Sequence, residues 1–147
     1  MCYNNIGKRK DENCMNNIDI MNYWIESSDK DYEVMLDLKK VKRNSYALFF
    51  GQLLIEKLLK AYYAKINKSA PYAPKTHELA YLANKMNMEL TERQEDLLET
   101  ISDFNMEARY GDYKYTFELK CTDEYTNIWI ENIKELREWL KELLIEK

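Results

Sequence analysis

Arg109 carries the most distinctive chemistry in the chain. It is followed by Tyr110, Gly111, Asp112 and Tyr113, at the end of a stretch with helical spacing. A guanidinium presents a planar fork of N–H donors that matches two phosphate oxygens, and tyrosine hydroxyls can add further hydrogen bonds. Arg109, Tyr110, Asp112 and Tyr113 therefore form a candidate ligand-binding group for a phosphate. The same arginine also suits a structural role, paired with Glu107 or Asp112 or bonded to helix-end carbonyls. Lys114 and Tyr115 come next, one a cation and the other a phenol that is a poor general base at neutral pH. His77 is the single histidine. It follows a proline-containing loop, where it reads as a cap or surface residue rather than as the base of a Ser-His-Asp triad.

Other chemistries find little support. No P-loop, GxGxxG, HExxH, EF-hand or GxSxG pattern occurs. Cys2, Cys14 and Cys121 show no CxxC spacing, and with one histidine they offer too few ligands for zinc. Free thiols are expected, with no metal and no cofactor. The carboxylate pairs Asp29/Asp31, Glu95/Asp96 and Glu131/Glu135 read as solvated helix faces. A net charge of −4 argues against a non-specific nucleic-acid binder but permits a local basic cleft. The N-terminus lacks the apolar run of a signal peptide, and no stretch of about 18 apolar residues exists to span a membrane. A cytoplasmic protein with no membrane attachment is expected.

The elements that must position these residues are all helical in pattern. The stretch Asn44–Lys68 carries two adjacent apolar stripes, one through Ala47, Phe50, Leu54, Leu58 and Ala61 and one through Leu48, Ile55, Leu59, Tyr62 and Ile66. A face that wide must be covered from more than one side, which places this helix at the centre of a bundle. Gln52, Glu56 and Lys60 mark its remaining polar edge. Gly51 implies close approach of a neighbour, such as a second copy of the helix.

Before this helix, Ile18 to Lys40 forms another long helix, and residues 1–16 form a loose arm. After it, the two prolines, Pro71 and Pro74, force a loop. Thr76 is expected to cap a short helix, and Thr91 with Gln94 forms a capping box for a helix reaching about Arg109, where Gly111 breaks it. Residues 110–122 look the least helical. A last helix starts at Thr122 or Asp123. The expectation is a single all-α domain over residues 17–147, a bundle of about five helices with two long antiparallel ones at its centre.

The order of several motifs resembles that of HEPN domain proteins, small helical bundles found beside minimal nucleotidyltransferases in prokaryotes. The motifs are Phe50-Gly51-Gln52 with Glu56-Lys57-x-Leu59-Lys60-Ala61-Tyr62, then Thr76-His77-Glu78-Leu79, then Ala108-Arg109-Tyr110-Gly111-Asp112-Tyr113. The resemblance spans about Ile18 to Leu144. It implies a homodimer packed through its long helices. It also implies either a module that binds a nucleotide or a nucleotidyltransferase, or a metal-independent RNase acting as the toxin of a toxin–antitoxin pair. The RNase members use an arginine and, after four to six intervening residues, a histidine. Arg109 matches the arginine, but Lys114, Tyr115 and Thr116 stand where the histidine belongs. The form Ala108–Tyr113 is similar to the non-nuclease branch. On that resemblance the protein is expected to bind rather than cleave. In the RNase alternative, Arg109, Lys114, Tyr115 and His77 are the candidate catalytic residues.

Overall fold

The computed structural model describes residues 15–146. The arm expected over residues 1–16 lies outside the described residues except for its last two. Six helices follow one another: α1 (Asn17–Lys40), α2 (Asn44–Ile66), α3 (Leu79–Lys85), α4 (Glu92–Glu107), α5 (Gly111–Lys120) and α6 (Asp123–Ile145). No strand occurs among the described residues, and no helix there is long and apolar enough to cross a membrane.

Local chemistry sets the helix ends. The Asn16 side chain accepts from the Asp19 amide at 2.9 Å, and the Asp19 carboxylate accepts from the Asn16 amide, a reciprocal cap. Thr91 and Gln94 make the same box at the start of α4. The Thr122 hydroxyl accepts from the Tyr125 amide and starts α6. Helix α1 closes without glycine. Lys42 takes a φ of 60°, and the Arg43 amide reaches back to the Leu38 carbonyl at 2.8 Å. That turn sends α2 back antiparallel to α1. The Asn17 side chain donates to the Ala64 carbonyl, and the Ser28 hydroxyl donates to the Leu54 carbonyl.

Helix α2 packs against every other helix. Ala47, Leu48, Leu54, Ile55, Leu58, Leu59 and Ala61 are all fully buried and Phe50 and Tyr62 partly so, which covers both apolar stripes except at Ile66, 44% exposed at the end of the helix. Gly51 is explained within the chain. A β-carbon there would sit 2.4 Å from Ile133 Cδ1 of α6 and 3.2 Å from Met35 Sδ of α1. The close neighbour is α6, not a second copy of α2.

Three expectations are corrected. Residues 110–122, read as the least helical stretch, contain the helix α5, which makes six helices among the described residues where about five were expected. Gly111, at φ 46°, turns the chain, and Phe117 anchors the new helix against Phe104 with ring centres 5.4 Å apart. Thr76 does not cap α3. Its hydroxyl accepts from the Glu78 amide, while the first amide of α3, on Leu79, is taken by the Ser102 hydroxyl of α4 at 2.9 Å. Asp31, read as part of a wet face, is buried and paired with Lys57 at 2.6 Å. Cys2 and Cys14 lie outside the described residues. Cys121 is buried and free, and its thiol is pushed up to about 12, chiefly by burial.

Candidate functional site

Gln52 and Glu56 lie one turn apart on the edge of α2 that the sequence marks as polar. They do not face solvent. Gln52 is 0% exposed and Glu56 5%, and Asn105 of α4 is 3% exposed. Buried polar groups are costly unless their hydrogen bonds are made, and these make theirs with one another. Gln52 Nε2 donates to Glu56 Oε1 and to the His77 carbonyl, both at 3.1 Å. Gln52 Oε1 accepts from Asn105 Nδ2 at 2.9 Å.

From Asn105 the network reaches Arg109, four residues further along the chain at the end of α4. Arg109 Nε donates to the Asn105 carbonyl at 3.0 Å, and Arg109 Nη2 donates to Asn105 Oδ1 at 2.5 Å. The guanidinium lies 4.8 Å from the centre of the Tyr110 ring and 5.8 Å from that of Phe49. These distances fit cation–π contact. Among the described residues it pairs with no carboxylate, Glu107 and Asp112 included. A helix-end carbonyl is thus one of its partners.

The other branch leads to His77. Its Nδ1 stands 2.7 Å from Glu56 Oε1, and Lys60 Nζ donates to Glu56 Oε2 at 3.0 Å. Burial pushes the Glu56 carboxyl up. Hydrogen bonds from His77, Gln52 and Lys60, with the Lys60 charge, outweigh it and hold the group below its ordinary value. An ionised carboxylate only accepts, so it fixes the proton on His77 Nδ1 and leaves Nε2 as the free nitrogen. Lys60 also lies over the Trp24 ring, 5.3 Å from its centre.

The structure thus joins Arg109, Tyr110 and His77 through Asn105, Gln52 and Glu56. Asp112 and Tyr113 stand exposed on the first turn of α5 and make no hydrogen bond to Arg109. Lys114 lies 5.3 Å from the centre of the Tyr46 ring, and a hydrogen bond with Tyr46 raises its pKa. Tyr115 points to solvent at 68% exposure. Sequence reasoning missed Asn105 and took Gln52 and Glu56 for a surface edge. The available signal was a polar row on a helix whose other positions are nearly all apolar, plus an asparagine one turn before the arginine. No group of three or more His, Cys, Asp or Glu among the described residues is placed to hold a metal.

The family model described as HEPN domain matches residues 21–143 of the chain. No curated protein and no solved structure matches it.

Proposed function

We propose, from the premise that this chain belongs to the HEPN domain family, that it is a non-catalytic binding module whose Arg109 anchors a nucleotide phosphate. The observation that carries this reading is the setting of that guanidinium. Asn105 holds two of its donors, two aromatic rings flank it, and no carboxylate among the described residues neutralises it. Three of its five N–H groups remain for a ligand. A fixed, uncompensated guanidinium favours an anion, and a bidentate fit favours phosphate.

Tyr110 flanks the anchor, and Asp112 and Tyr113, exposed on the first turn of α5, are the further ligand-binding residues of this reading. On the same reading the protein works as a homodimer that docks a minimal nucleotidyltransferase. The large exposed side chains Tyr113, Tyr115 and Leu119 on α5 offer surface for such a partner.

Calorimetric titration with AMP, ATP and adenosine tests the anchor. The two nucleotides should bind, adenosine should not, and Arg109→Ala should weaken nucleotide binding by about tenfold or more. Equal affinities in wild type and Arg109→Ala would remove the anchor.

One observation favours a second reading, the metal-independent RNase of a toxin–antitoxin pair. His77, oriented by Glu56, lies in the same hydrogen-bonded network as Arg109. An imidazole held by a carboxylate is a familiar acid–base device. In this reading Arg109 holds the phosphate and His77 moves the proton. Lys114 is the weaker candidate, because its contact with Tyr46 favours the protonated form.

A further inference from the structure

The geometry points to a second anion site, at the N-terminus of α2, that takes a terminal phosphate group. Helix α2 has no side-chain cap, and its first intrahelical bond runs from the Ala47 amide to the Arg43 carbonyl at 2.9 Å. The amides of Asn44, Ser45 and Tyr46 are left without an acceptor among the described residues. Three unpaired amides at the positive end of a long helix form an anion-binding nest.

The nest opens onto a cavity of about 270 Å³ lined by Lys42, Arg43, Asn44, Ser45, Tyr46 and Glu118 among others. One polar side chain of this lining lacks a partner. Ser45 is only 6% exposed, and its hydroxyl makes no hydrogen bond among the described residues. Arg43 forms no ion pair among the described residues, so its charge is available to the cavity.

The carboxylates nearby do not cancel this. Asp123 is already held by Lys42 at 2.8 Å, Lys39 at 3.6 Å and Asn44 Nδ2 at 2.9 Å. Glu118 lies in the field of Lys114. Lys39, Lys42, Arg43 and Lys114 outnumber Asp123 and Glu118. The donors are three amides, one hydroxyl and one guanidinium. That set suits the three free oxygens of a phosphate monoester better than the two of a diester. The site is separate from Arg109 and does not depend on its role.

Amide chemical shifts of the full chain, followed during titration with methyl phosphate, test the site. Asn44, Ser45 and Tyr46 should shift and saturate, equally in wild type and in Arg109→Ala. Arg43→Gln should weaken the titration about tenfold, and Ser45→Ala should weaken it less. Dimethyl phosphate should bind at least about tenfold more weakly than the monoester. Shifts that never saturate, that survive both Arg43→Gln and Ser45→Ala unchanged, or that vanish in Arg109→Ala would overturn the proposal. Equal binding of the diester would overturn its assignment to a terminal phosphate.

Discussion

Asn105 fixes the position of the Arg109 side chain. It holds the guanidinium through its carbonyl and its side chain, and it is held in turn by Gln52. Asn105→Leu should cost about 1–3 kcal/mol in a denaturant titration, because Gln52 Oε1 loses its donor inside the protein. It should also weaken nucleotide binding with Arg109 still present. Glu56 gives a pH signature. Its folded pKa lies below the ordinary 4.5, so its contribution to stability is present above that value and is lost as pH falls through the folded value. Glu107 runs the other way. Burial raises its pKa, so its contribution is present below 4.5 and is lost as pH rises. Urea midpoints should therefore show Glu107→Gln more stable than wild type at pH 7, and Glu56→Gln less stable there with a flatter fall in acid. At this scale the bond from Arg109 to a helix-end carbonyl was legible, since an arginine at the end of a helical stretch has such acceptors within reach. Gln52 and Asn105 were not, because a lone amide on an amphipathic helix looks the same whether water or another amide satisfies it.

Boundaries set by short-range chemistry could be read directly, and those set by distant partners could not. The Thr91 box and the prolines act within a few residues, and both behave as their types demand. Helix α3 starts where Ser102, on another helix, supplies an acceptor. Helix α5 exists because one side chain, Phe117, finds Phe104. The periodicity of residues 111–120 is weak, since only Phe117 among them is buried. Gly51 gives the sharpest test of packing between elements. Alanine favours helix by up to about 1 kcal/mol over glycine, but its methyl would stand 2.4 Å from Ile133 Cδ1, in a closed core. Gly51→Ala should therefore destabilise by about 1–3 kcal/mol, the usual range for overpacking. Adding Ile133→Val, which removes the clashing carbon, should recover much of that loss in thermal unfolding. No recovery would mean that α2 and α6 do not meet as described.

At the scale of the whole molecule, the wide apolar face of α2 required a bundle built around that helix, and α2 does touch every other helix. Leu58→Ala should cost about 2–5 kcal/mol, since the side chain is fully buried. The bundle brings together what the chain keeps apart. His77 and Arg109 sit on different segments and are joined only because α2 lends Gln52 and Glu56 to both. That arrangement is compatible with the proposed binding module and with an RNase, and cleavage separates them. Single-stranded RNA incubated with the purified protein in EDTA is the most direct measurement. A binding module predicts that the RNA stays intact with wild type, Arg109→Ala and His77→Ala alike. Robust cleavage by the wild type that disappears in both Arg109→Ala and His77→Ala would contradict it.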